Sequence, residues 1–128
     1  MERLARERAR WANHGRRRSR VPVIARGDIR WFRFGAPDKR RPVVVLGRSD
    51  ILPSLSQVPV IPLSTQARGL AWEIALTQAD GVPSPCVVKP EWIRIVERAY
   101  LGPWIATLPE ARWGDIRRAL LDVLGFDA

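Results

Sequence analysis

The sequence predicts a mainly β domain with short helical pieces, an α+β protein, on three observations. From Val21 onward, short apolar runs alternate with breaks containing Pro or Gly, the pattern of strands joined by turns. Helical spacing of apolar residues appears in this region only after Thr107. The chain has 128 residues, enough for one buried core and short of the ~150 that would suggest two domains.

RGDIRWFRF (26–34) is aromatic-rich and reads as the first strand, with Gly27-Asp28 as a structural turn into it. PVVVLG (42–47) reads as a strand buried on both faces, and VPVIPLS (58–64) as a third strand after a Pro/Ser-rich loop. Pro59 and Pro62 lack backbone donors, which points to an edge, a bulge or a strand end. GLAWEIAL (69–76) alternates, with Leu70, Trp72, Ile74 and Leu76 on one face and Ala71, Glu73 and Ala75 on the other, so a half-buried antiparallel strand is expected. After the turn-rich ADGVPSP (79–85), CVV (86–88) and WIRIV (92–96) give two short strands around Lys89-Pro90-Glu91. Thr107 and Glu110 fit the ends of a capping box. Trp113, Ile116, Leu120, Val123 and Leu124 then form one helical stripe that ends at Gly125. Arg112, Arg117 and Arg118 are expected on its solvent side.

Charge divides the chain differently. The net charge is +9, and residues 1–20 carry eight arginines against Glu2 and Glu7, so this arm supplies +6 and residues 21–128 only +3. The expected organisation is a basic, flexible arm over 1–20 and a single domain over 21–128. Leu4, Arg8 and Trp11 fall near one helical face, too thin a stripe for a stable isolated helix. Three readings of the arm stay open: a nucleic-acid-binding tail, a solvated tail without a specific role, and an over-long start. The apolar runs are far below the ~18–20 residues of a membrane span, and no apolar segment follows the arm's charges as in a secretion signal. A cytoplasmic protein is expected.

Composition also excludes chemistries. Cys86 is the one cysteine and His14 the one histidine, and His14 lies in the arm. A Cys/His zinc site within one chain, a two-histidine ribonuclease and a Ser-His-Asp triad are therefore excluded. Cys86 is expected to be a small buried apolar residue. No metal ligand set and no cofactor motif is present.

A positive balance makes a polyanion the natural partner, nucleic acid first. Two places could form a site. Lys39-Arg40-Arg41 stands directly before the buried second strand, where a guanidinium held by a rigid element could stabilise a pentacoordinate phosphate. Ser64-Thr65-Gln66-Ala67-Arg68-Gly69 concentrates hydroxyls, an amide and a guanidinium in one strand connection, suited to phosphate and base-edge contacts. Taken separately, each also reads as an ordinary solvated loop.

Taken together, RGDIRWFRFG, RRPVVVL, IPLSTQARG with WEIAL, and TLPEARWGDIRRALLDVLGF resemble the MazF/PemK toxin endoribonucleases of bacterial toxin–antitoxin systems, over roughly residues 24–126. The resemblance implies an SH3-like barrel of antiparallel strands with a C-terminal helix, a homodimer, and metal-independent cleavage of single-stranded RNA at short sequences. In that chemistry the 2′-hydroxyl attacks the adjacent phosphate, leaving a 2′,3′-cyclic phosphate and a 5′-hydroxyl. The catalytic arginine before the Pro-Val-Val strand matches Arg41, which would stabilise the phosphorane and could protonate the leaving oxygen. The catalytic hydroxyl at the end of the third strand matches Ser64, with Thr65 next. Lys39, Arg40, Thr65, Gln66, Arg68, Glu91 and Trp92 become expected RNA contacts. An acidic antitoxin is the implied protein partner. Two departures stand out: the loop 35–40 is shorter than in many relatives, and Trp92 replaces a glutamine, offering a ring for base stacking instead of an amide. The alternatives are a CcdB-like poison that traps a protein such as DNA gyrase, and an RNA-binding relative without catalysis.

Overall fold

The computed structural model describes Trp11, residues 23–35 and residues 39–126. The expectations for the rest of the arm and for the middle of the loop 35–40 lie outside the described residues. Among the described residues seven strands follow in order: β1 (Asp28–Arg33), β2 (Arg40–Val45), β3 (Gln57–Ser64), β4 (Ile74–Leu76), β5 (Cys86–Val88), β6 (Arg94–Glu97) and β7 (Trp104–Thr107). A helix, α1 (Trp113–Leu124), closes the chain. All pairings are antiparallel, along the path β4-β5-β3-β2-β1-β7, with β6 also on β3. This is the curled SH3-like barrel with a C-terminal helix that the sequence implied.

Two apolar clusters cover the two faces of the curl. Ile29, Trp31, Val44, Ile61 and Leu63 point into one, with Ile116 and Ala119 of α1 packed over them. Val43, Val45, Val58, Val60 and Val96 point into the other. Alternation in β2 therefore buries every residue from Val43 to Leu46. Each valine contributes up to ~1.5–3 kcal/mol. Gly27 turns the chain into β1 at a φ of 88°, and a side chain there would meet the Trp113 ring, which confirms a structural role.

Several expectations change. β3 is not an edge: β2 pairs on one flank, while β6 and then β5 pair on the other. Its prolines remain useful to the sheet through their carbonyls, Pro59 accepting from Leu46 N–H and Pro62 from Lys89 N–H. β4 is only three residues, because residues 68–73 form a turn; the Glu73 carboxylate accepts the backbone N–H groups of Arg68, Gly69 and Leu70 there. Trp92 ends a 3-10 turn (Pro90–Trp92) rather than starting a strand. The strand β7 escaped the sequence reading.

The capping box at Thr107 is also not formed. Thr107 closes β7 and its hydroxyl accepts from the Trp104 indole, while a 3-10 turn (Glu110–Arg112) without a side-chain cap leads into α1. The box forms instead at Thr77 and Asp80, around the turn Gln78–Asp80. Arg112 is drawn inward to pair with buried Asp80 at 3.0 Å, whereas Arg117 and Arg118 face solvent. Gly125 stops α1 at a φ of 79° as expected.

Candidate functional site

The register of β2 against β3 places the two candidate segments together. Val43 pairs with Pro62, Val44 with Ile61 and Val45 with Val60. Continued two residues outward, that register sets Arg41 across from Ser64. Both line one groove of about 610 Å³, with Lys39, Arg40, Pro42, Leu63, Thr65, Gln66, Arg68, Trp11, Trp31, Cys86 and Trp92. Among these lining residues are four cations, three indoles and no carboxylate. Such a wall attracts an extended anion with planar groups.

Each side chain is placed by its strand or turn. Arg41 is half-buried, opposite Phe32 in the β1–β2 ladder, with its guanidinium 5.4 Å from the centre of the Trp92 ring. Among the described residues it makes no ion pair, so its N–H groups remain available to a ligand. Arg40 is exposed and stacks over Trp31 at 4.1 Å. Ser64 is half-buried, and its Oγ accepts the Gln66 N–H at 3.1 Å. That leaves the hydroxyl hydrogen free to donate to a phosphate oxygen. Lys39, Thr65, Gln66 and Arg68 are exposed on the rim.

The structure brings eight of the nine expected site residues to this groove; Glu91 is not among its lining residues. One Glu91 oxygen accepts from the Trp72 indole at 3.0 Å and the other pairs with Lys89 at 3.1 Å. Sequence reasoning missed two contributors. Trp11, upstream of the expected boundary at residue 21, is buried against Trp31 at an edge-on 5.8 Å, and its indole donates to Ser84 Oγ at 2.6 Å. Its large apolar ring, read as part of a thin helical stripe with Leu4 and Arg8, was the available signal. Lys89, with 1 % of its side chain exposed, pairs with Glu73 behind the groove. A lysine between Val88 and Pro90 was the hint there.

Electrostatics separate inert from working groups. Burial, with a smaller push from the Asp80 charge, raises the Cys86 thiol to about 12, so it lines the groove as an apolar wall. The Lys89 hydrogen bond holds the Glu73 carboxyl below its ordinary 4.5, against burial and with help from the Arg68 and Leu70 amides. Burial pulls Lys89 down, but its bonds to Glu73 and Glu91 outweigh this and raise it above 10.5. The Arg112 bond holds Asp80 below 3.8.

A pH prediction follows by linkage. The lowered carboxyls contribute stability that is complete above 4.5 and is lost as pH falls through their folded values. Lys89 contributes stability that is complete below 10.5 and is lost as pH rises through its folded value. Thermal melts across pH should therefore show a plateau between these limits that slopes down on both sides. A maximum confined to one narrow pH would contradict these assignments.

Among the described residues no three His, Cys, Asp or Glu side chains are placed to hold a metal ion, and no helix is long and apolar enough to cross a membrane.

Comparison with known proteins gives consistent findings. Residues 25–124 match the profile of the PemK-like, MazF-like toxin of type II toxin-antitoxin system. Endoribonuclease MazF3 of Mycobacterium tuberculosis is 37% identical over 71 residues, 56% of this chain and 69% of that protein. Among solved structures, Mycobacterium tuberculosis toxin MazF-mt6 superposes with a TM-score of 0.72 at 29% identity, covering 79% of this chain and 99% of that one. The MazE-MazF structure (Form-II) from Deinococcus radiodurans gives 0.67 at 26% identity, covering 81% and 97%.

Proposed function

The chain belongs to the PemK/MazF-like toxins of type II toxin–antitoxin systems, and on that footing we propose that it is an endoribonuclease that cuts single-stranded RNA, mRNA included, at short specific sequences. The observation that carries this reading is the groove itself: Arg41 and Ser64 at facing strand ends, among four cations and three indoles, with no carboxylate among the described lining residues.

The reaction uses the chain's own side chains and solvent water. The 2′-oxygen of the nucleotide before the cut attacks the adjacent phosphorus and passes its proton to water. A pentacoordinate phosphorane forms, and the bond from phosphorus to the 5′-oxygen breaks. The 5′-oxygen takes that proton back from water and leaves as a hydroxyl, with a 2′,3′-cyclic phosphate on the other end. Arg41 stabilises the phosphorane charge with its forked N–H groups. Ser64 donates its free hydroxyl hydrogen to the scissile phosphate and so orients it. Lys39, Arg40 and Arg68 hold flanking phosphates, Thr65 and Gln66 read base edges, and Trp92 stacks on a base. Glu91 belongs to the support of Trp72 and Lys89 rather than to the RNA contacts.

The same field suits an acidic antitoxin segment laid along the groove, and the Deinococcus radiodurans relative is described as a MazE-MazF structure. A homodimer in the cytoplasm is the proposed working state; the exposed apolar side chains Ile95 and Tyr100 offer surface for a second copy.

The test is incubation of the purified protein with a long RNA in EDTA. Discrete fragments with 2′,3′-cyclic phosphate and 5′-hydroxyl ends are expected. Binding without fragments would mark a non-catalytic relative, and trapping of gyrase without RNA cleavage a CcdB-like poison; either would overturn the proposal. Ser64→Ala should slow cleavage by about tenfold, since one hydrogen bond to a charged group, about 1.5 kcal/mol, is lost while the guanidinium remains. A rate equal to wild type would remove Ser64 from the mechanism.

A further inference from the structure

Behind the groove lies a charged cluster that the reaction does not use directly. Lys89, at the end of β5, is almost fully buried. Its ammonium pairs with Glu73 and Glu91. The Glu73 side chain is itself 5 % exposed, and its carboxylate is the acceptor for three successive amides: Arg68 at 3.1 Å, Gly69 at 3.0 Å and Leu70 at 3.3 Å. Those amides belong to the connection that presents Thr65, Gln66 and Arg68 to the groove. Gly69 takes a φ of 71°, which lets the chain wrap around the carboxylate. The opposite wall is reached from the same ammonium. Lys89 begins the turn Pro90–Trp92 and lies 5.1 Å from the Trp92 ring centre, the ring that Arg41 approaches at 5.4 Å.

A buried ion pair is a poor way to add net stability, because desolvating both charges offsets most of their attraction. It is a good way to fix geometry, since each charge has a single satisfied arrangement. Taking the proposed RNA-cleaving site as given, we propose that Glu73 and Lys89 are positioning residues. Their pair holds the Thr65–Leu70 connection and the Trp92 ring in register with Arg41 and Ser64, so that both walls of the groove meet the RNA together. Neither residue touches the substrate. Removing the charge of Glu73 frees three amides and lets Arg68 drift by the ångström or so that costs a positioned reaction its rate.

The experiment compares wild type with Glu73→Gln, which keeps the size and one acceptor oxygen but loses the charge and half of the carboxylate. Amide hydrogen exchange, cleavage kinetics and thermal melting are read in parallel. In wild type, the amides of residues 68–70 should exchange at least about tenfold more slowly than free peptide, although they sit in an exposed connection. In Glu73→Gln they should lose that protection, and kcat should fall about tenfold with KM changed less than about threefold. Asp80→Asn breaks a carboxylate–arginine pair whose two members do not line the groove and controls for lost stability; it should lower the melting temperature while leaving kcat unchanged. Lys89→Arg should restore more activity than Lys89→Met.

Wild-type amides 68–70 exchanging at free-peptide rates would overturn the proposal without any variant. So would a Glu73→Gln enzyme with wild-type kcat, or an Asp80→Asn enzyme that loses kcat equally for the same drop in melting temperature. A wild-type protein that cuts no RNA would instead overturn the functional reading, and the exchange data would still decide whether Glu73 pins the connection.

Discussion

Arg41→Ala is expected to lower RNA cleavage by at least about 10²–10³-fold while the protein still folds and melts no more than about 8 °C below wild type. The size follows from removing the donor aimed at charge that develops only in the transition state. The intact fold follows from what Arg41 does not do. Its backbone is secured in the β2 ladder opposite Phe32, and among the described residues its guanidinium makes no ion pair. The interaction lost is the approach of the half-buried Arg41 to Trp92 at 5.4 Å, about 1 kcal/mol. Arg41→Lys tests the shape of the donor separately. It preserves the charge but replaces a planar fork by a point charge, so it should recover RNA binding more fully than cleavage. Cleavage rates on a short single-stranded RNA, with circular-dichroism melts of the same samples, check both variants. Wild-type rates in Arg41→Ala would remove this residue from the chemistry.

The charge of the chain acquires a position through the same groove. Of the total +9, most sits in residues 1–20, yet the cations lining the groove, Lys39, Arg40, Arg41 and Arg68, all come from the part that nets only +3. Net charge predicts attraction to a polyanion; the absence of carboxylates among the described residues of one wall predicts where it lands. Glu73 and Glu91, in the connections that carry Arg68 and Trp92 to that wall, are turned onto Lys89. Their charges thereby organise the groove without repelling an anion from its surface.

How much of this could be read from the sequence depends on the range of the interaction. Local patterns were legible: the apolar end of β2, residues 42–45, because both faces of the sheet are covered there, α1 because its stripe is helical, Gly27 and Gly125 because turns need their positive φ. The pairing of Arg41 with Ser64 was legible only through the resemblance, since it depends on a register between strands that no local pattern fixes. Long-range partners were not legible. Alternation assigned Glu73 to a strand face, but a lysine 16 residues later turns it into the hub of a turn. Thr107 satisfied the spacing of a capping box and lost its hydroxyl to Trp104 instead. Arg112 looked like a solvent residue until Asp80, brought close by the fold, claimed it.

The second large effect expected concerns stability. Arg30→Ala should destabilise the fold by about 3–5 kcal/mol, because it strands a buried carboxylate. Asp28 and Arg30 point from β1 with 9 % and 4 % of their side chains exposed and meet at 2.9 Å. The carboxylate also accepts the Ala25 N–H at 3.0 Å, and the guanidinium donates to the Gly102 carbonyl at 3.0 Å, tying β1 to the segment that enters β7. This is where β1 and β7 slip register between Ile29 and Arg30, so the pair secures a joint that ladder hydrogen bonds leave irregular. At roughly 4–8 °C per kcal/mol for a domain of this size, Arg30→Ala should melt at least about 12 °C lower. The double variant Asp28→Asn/Arg30→Met removes both charges and fills the space with methylenes, so it should recover part of that loss, with a coupling of about 1–3 kcal/mol in a double-mutant cycle. Urea unfolding of wild type, Asp28→Asn, Arg30→Met and the double variant measures it, with Arg30→Ala alongside. An Arg30→Ala protein within 1 kcal/mol of wild type, or singles that simply add, would show that the joint is held by apolar packing alone.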